Sequence, residues 1–133
     1  MGLGQEILET LENIREDIKA FAEENNYYLI SWDTEPDLIP KFPALAFFFE
    51  ASLNEGAGLS EVYEFTVDTT LIIYHLKPVS EFSYPIADIS LAVEYFSQRE
   101  YDVSLRLEDT TAGTSLMTRA EITLRKSVFV NKE

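Results

Sequence analysis

From Leu3 onward the apolar side chains fall at Leu3, Ile7, Leu11, Ile14, Ile18 and Phe21, at intervals of 4, 4, 3, 4 and 3. Such spacing stacks them along one face of an α-helix. Between them stand Glu6, Glu9, Glu12, Glu16, Asp17, Glu23 and Glu24, with Arg15 and Lys19 the only bases. The pattern predicts a helix over 3–25, stopped at Asn25-Asn26 because Asn tolerates a left-handed backbone. Its stripe is close to a heptad, so a coiled coil competes, but the repeat is short for one. A one-sided helix needs a second layer to cover its stripe, and the rest of the chain supplies strands.

Tyr27 to Trp32 is aromatic and favours β structure, and is expected to form a short strand. The stretch 33–43 contains Pro36, Pro40 and Pro43 with three acids and reads as a loop or extended edge. Ala44 to Glu50 is apolar up to its last residue, as in a strand covered on both faces, or in an exposed aromatic strand that another subunit covers. Asn54 to Gly58 is expected to turn. In the strand over 61–76, Tyr63, Phe65 and Val67 alternate with polar residues before Leu71 to Tyr74 lose the alternation. One face is therefore expected to be wet at first and both faces covered later, with Pro78 ending the strand.

Ile86, Ile89, Val93 and Phe96 repeat at helical spacing, predicting a second helix from about Tyr84-Pro85 to Gln98. Val103, Leu105 and Leu107 alternate next, Thr110 to Gly113 turn the chain, and Leu116 to Val130 returns as a strand. In that last strand Ala120, Ile122 and Leu124 share one face, and Arg119, Glu121, Thr123 and Arg125 the wetter one. The expected order is α-β-β-β-α-β-β, a single α+β domain over 1–133 with a largely antiparallel sheet packed against two helices.

The residue inventory narrows the chemistry. The chain has no cysteine, which removes disulfides and thiolate chemistry, and His75 is its one histidine. A buried structural role suits His75 better than catalysis, because no acid or nucleophile neighbours it in sequence. Asp33, Glu35 and Asp37 are spaced like the first ligands of a calcium loop. That loop would continue with Gly and Glu where this chain has Leu38 and Ala44. The glycines at 56, 58 and 113 do not sit between a strand and a helix with a following Lys-Ser/Thr, so they read as turn residues. No catalytic, cofactor or metal residue is expected, and the protein is read as not an enzyme.

Charge is the remaining signal. Twenty-four acids against ten Lys and Arg give a net −14, which disfavours binding to DNA phosphates or anionic lipid. No apolar run reaches the roughly 18 residues of a membrane span. The opening Met1 to Glu6 lacks the pattern of a signal peptide, and Glu6 stands where a myristoylation motif has Ser or Thr. Residues 1–68 hold 15 acids and 3 bases, a net −12, whereas residues 69–133 hold 9 acids and 7 bases, a net −2. In one monomer the acidic half is a solubilising face. In a ring of identical subunits it could meet the mixed edge of a neighbour, or line a bore to which DNA does not stick.

The element order over Leu3–Glu24, Tyr27–Trp32, Pro43–Glu50, Glu61–Leu76, Pro85–Gln98, Val103–Leu107 and Leu116–Val130 resembles the tail-terminator, or tail-completion, proteins of long-tailed bacteriophages. The resemblance is one of length and element order. It implies a virion protein of the tail or neck, assembled in the host cytoplasm. It further implies a ring, usually of six copies, that ends tail-tube growth and joins tail to head connector, without cofactor. The partners would be further copies of the chain, the tube protein and connector proteins, with DNA passing through without adhering. Subunit or tube contacts are expected at Asn54, Glu55, Leu59 and Glu61 and at Arg106, Arg119 and Arg125. The acidic lumen face would be Glu6, Glu9, Glu12 and Glu16. Two other readings compete: another small assembly or adaptor protein, and an acidic DNA mimic that inhibits a DNA-binding enzyme. The mimic fits the charge and size, but the basic residues of the second half interrupt the acidic surface it would need.

Overall fold

A computed structural model describes residues 2–55, 61–76 and 83–132. Helix α1 spans Leu3–Glu24 and buries Ile14, Ile18, Phe21 and Ala22. Its end is set by the asparagines. Asn26 adopts φ 58°, the Asn26 N–H donates to Glu23 O, and the Tyr27 N–H reaches back to Ala22 O at 2.8 Å. These two backward bonds satisfy carbonyls that the helix would otherwise leave open. The Asn25 side chain adds a third, to Phe21 O at 3.0 Å.

The strands are β1 (Tyr28–Leu29), β2 (Ala44–Glu55), β3 (Val62–His75), β4 (Asp102–Ala112) and β5 (Ser115–Asn131), with helix α2 (Ser83–Ser97) between β3 and β4. They form a five-stranded sheet in the order β1-β2-β3-β5-β4, antiparallel except for the β1–β2 pair. The result is the expected α+β architecture and element order. Register aligns Leu45, Ile73, Ala120 and Leu107 across four strands, and Leu71 with Ile122. This parity faces the helices. Ile14, Ile18 and Phe21 of α1, with Ile89, Ala92 and Phe96 of α2, bury against Leu45, Val67, Leu71, Ile73, Ile122 and Leu124. Each fully buried Ile, Leu or Phe in that layer contributes about 1.5–3 kcal/mol. The sheet pulls α1 out of any coiled coil by offering its stripe a flat apolar partner.

The opposite parity faces away from the helices and, among the described residues, is covered at one end only. There the segment 30–43, with a cis Phe42–Pro43 bond and a short 3-10 helix at Pro36–Leu38, lays Ile30, Ile39 and Phe42 over Ala44, Ala46, Ile72, Tyr74 and Met117. This explains the lost alternation in β3: its residues 71–75 are all buried, whereas nearer its start burial alternates.

Several boundaries differ from expectation. The first strand is two residues, not six, because Tyr27 is buried, stacking on Phe21 at 5.4 Å, and the chain leaves the sheet after Ile30. β2 is covered on both faces only at 44–46, while Phe48 is 39% exposed. Asn54 and Glu55 are paired strand residues, opposite Glu64 and Tyr63, rather than part of a turn. The C-terminal hairpin is longer than expected. Thr110 to Ala112 continue β4, and the turn is Gly113-Thr114, with Gly113 at φ 62°, a conformation other side chains resist. Gly56, Gly58 and Pro78 lie outside the described residues.

Candidate functional site

Parity in the sheet decides where the charged residues of the second half go. On the face away from the helices, strand register lines up three polar rows. Tyr74, Arg119 and Glu108 form one; Ile72, Glu121 and Arg106 the next; and Glu50, Asp68, Arg125 and Asp102 a third. Arg119 donates to Glu108 at 3.1 Å and to Glu121 at 3.3 Å, and also bonds to Tyr74. Arg106 is held loosely, 3.7 Å from Glu108, with its side chain 74% exposed. Arg125 grips Asp68 with two bonds, of 2.7 and 3.1 Å. Hydrogen bonding from Arg125 holds the Asp68 carboxyl below its ordinary range, against a small opposing effect of burial. A shallow depression lined by Glu50, Asp68, Thr70, Asp102, Thr123 and Arg125 marks this row.

Its carboxylates are separated by strand spacings of about 4.8 Å, and Arg125 stands between Asp68 and Asp102. Among the described residues no group of three or more His, Asp or Glu side chains is placed to hold a metal ion. Asp33 accepts a hydrogen bond from Ser31 at 2.6 Å in an exposed turn, and Asp37 sits in the 3-10 helix, so the acidic loop is built as a chain of turns. Among the described residues, no helix is long and apolar enough to cross a membrane.

His75 ends β3 on the helix-facing parity and is buried, with Tyr27 Oη 3.5 Å from its Nε2. Burial pushes its pKa below 6.5, opposed by the charge of Asp88.

Glu6, Glu9, Glu12 and Glu16 fall within about a third of the helix circumference at 100° per residue. That face is opposite the buried Ile14 and Ile18, on the outer side of the helix layer. Glu9 accepts a bond from Gln5 at 3.2 Å, and Arg15 and Lys19 border the four acids on the Glu12 side. The expected sites therefore separate onto opposite sides of the protein: acids on the helix layer, Arg106, Arg119 and Arg125 on the bare sheet face. Asn54, Glu55 and Glu61 sit at the far end of the β2–β3 pair. There Lys132 bridges to Glu55 at 3.2 Å, and its N–H donates to Glu61 O at 2.9 Å. Leu59 lies outside the described residues.

Two features escaped the reading of the sequence. The exposed Trp32 ring stands edge-on to Phe48 with centroids 6.2 Å apart, giving β2 an apolar patch on the bare face. On the other face Ile86, Ile89 and Val93 of α2 and Leu105 and Leu107 of β4 line an apolar groove along the sheet margin. The apolar repeat of α2 and the alternation of β4 were both visible. That the two would leave a gap between them depends on their packing angle, which no local pattern encodes.

No protein-family model matches this sequence, and none of the curated proteins matches it.

Proposed function

We propose that this chain is a structural assembly protein that repeats side by side into a closed ring, in the manner of a phage tail terminator. The observation that carries this reading is the one-sidedness of the sheet. Both helices cover one face, and among the described residues both margins are open along most of their length: β2 is paired by β1 only at Ala44 and Leu45, and β4 is paired by β5 alone. A layer built this way can be extended by further copies without moving its helices.

Charge supports the same reading. The outer face of α1 is dominated by acids, whereas on the bare sheet face Asp68, Glu108 and Glu121 are each paired with an arginine. A ring with the helix layer toward its axis would have a negative wall, past which DNA slides without adhering. The three arginines set among these acids count against a DNA mimic, which needs an exposed face of acids without bases between them. On this reading the ring sits in the tail or neck of a virion, binds the tube end on one side and the connector on the other, and does no chemistry.

Light scattering across a range of protein and salt concentrations tests it, together with electron micrographs of tail tubes grown with and without the protein. The expected results are a particle of about six chain masses and tubes capped at a uniform length. A particle of two chains with no effect on tubes would refute the ring.

A further inference from the structure

β2 and β4 are open in different ways. Beyond Leu45, and among the described residues, β2 has a hydrogen-bonded neighbour only in β3. Native edge strands are usually guarded by lysine, proline or a bulge, and the span 46–55, AFFFEASLNE, has neither residue. It is instead apolar on both faces: Phe47, Phe49 and Leu53 toward the helices, Phe48 beside Trp32 on the other side. Its only charges are Glu50 and Glu55. β4, at the opposite margin, presents Leu105, 42% exposed, beside the groove that α2 leaves open, and carries the loosely held Arg106 on its other face.

We propose that the outer edge of β2 in one copy adds to the free edge of β4 in a second copy, antiparallel, with the exposed margins of its Phe47 and Phe49, which pack on their own core, abutting Leu107 and Leu105 beside the groove between α2 and β4. This deepens the ring reading and rests on it for the ring's closure, though not for the pairing itself. Three observations agree. Direction is the first: β2, β3, β5 and β4 alternate up and down, so placing the next copy's β2 beside β4 continues the alternation and keeps all helices on one side. Side-chain parity is the second. Setting Phe47 and Phe49 against Leu107 and Leu105 keeps apolar residues together on the helix side. It also puts Phe48 against Arg106 and Glu50 against Ser104, diagonal to Arg106, on the bare side. Charge is the third. A symmetric β2–β2 pairing would join two edges whose only charges are acids and leave the apolar groove open, whereas the β2–β4 pairing gives Glu50 a cation. Because each copy uses one edge as donor and the other as acceptor, the contact propagates until it closes.

The absence of cysteine makes the test clean. Ser52→Cys and Ser104→Cys chains, differing in tag length, are purified separately, mixed at high concentration and treated with a short thiol-to-thiol crosslinker. In the proposed register, position 52 lies opposite 102 and diagonal to 104, about 7–8 Å away. The expected product is a mixed 52–104 dimer that forms only in the mixture. Leu105→Glu, at an exposed site the fold tolerates, should reduce it roughly tenfold or more, because the added charge would be buried unpaired. Circular dichroism confirms that each variant is folded. A linked product from either variant alone, or none from the mixture, overturns the pairing. Rings seen by light scattering without the 52–104 link overturn the pairing and leave the ring reading standing. The link accompanied by ever-growing open chains upholds the pairing and refutes the closed ring.

Discussion

Tyr101 donates its hydroxyl hydrogen to Asp17 at 2.7 Å, joining α1 to the start of β4 across 84 residues of sequence. The Tyr101 ring also packs edge-on against Phe96 at 5.6 Å, and Lys126 Nζ lies 4.4 Å from its centroid. One side chain thus ties the two helices and the sheet together at the corner where α2 turns into β4. Arg99, stacked 3.4 Å over Tyr95, closes the same corner from outside.

Tyr101→Phe keeps the ring packing and removes only the bond to Asp17, so it should cost about 1 kcal/mol. Alkaline behaviour should change too. Burial first, and then the bond to Asp17, raises the Tyr101 pKa above its ordinary 10.0. Above that value the unfolded chain loses a proton that the folded chain keeps, so the folded state is progressively disfavoured as pH rises. Urea unfolding at about pH 8 and about pH 11 should show a smaller alkaline loss in Tyr101→Phe than in the parent. Equal losses in both would place the alkaline transition elsewhere.

His75 works in the opposite direction. Its folded pKa lies below 6.5, so the unfolded chain takes up a proton first as pH falls. The stability His75 contributes is complete above 6.5 and is lost as pH drops toward the folded value. Because it is the chain's one histidine, its imidazole signal can be followed alone by NMR, and its midpoint should fall below 6.5. A His75→Gln protein should lose less stability than the parent between neutral pH and about pH 5. A midpoint at or above 6.5 would contradict the burial argument.

Thr69 sits on the helix-facing side of β3 between Phe49 and Leu124, fully buried, and its hydroxyl oxygen has no hydrogen-bond partner among the described residues. Thr69→Val replaces that hydroxyl with a methyl group of nearly the same shape and should stabilise the protein by about 1 kcal/mol. Thermal unfolding checks this, and a drop in melting temperature would mean that the hydroxyl is satisfied in solution.

These side chains also mark how far the sequence could be read. The α1 stripe and the Asn25-Asn26 stop were legible because helix period and left-handed tolerance are local properties. The switch in β3 from alternating to continuous burial was legible for the same reason. The two-residue β1 was not: Tyr27 to Trp32 has strand composition, but Tyr27 is drawn into the core against Phe21, and the chain leaves the sheet after the Ile30 N–H bonds to Leu45 O. Nor could the Arg125–Asp68 and Arg119–Glu108 pairs be foreseen, since they follow from inter-strand register, which is set by the whole sheet. Of the expected contacts, those on β4 and β5 share the bare face and those at 54, 55 and 61 share one end of the sheet, while the acids of α1 stand apart on the helix side.

Trp32 offers a direct view of the β2 margin. It is the chain's one tryptophan, 63% exposed, and its ring meets Phe48 beside the stretch of β2 that has no outer neighbour among the described residues. If a second copy covers that edge, the Trp32 and Phe48 rings lose water on assembly, since aromatic rings at an edge add contact area to any strand that pairs there. Fluorescence should therefore shift to shorter wavelength, and quenching by acrylamide should weaken, as protein concentration rises. Leu105→Glu should hold both readings at their dilute values, because it alters the acceptor edge and leaves the surroundings of Trp32 untouched. If emission stays unchanged across the range in which light scattering reports assembly, the copies meet through another surface and β2 remains open to water.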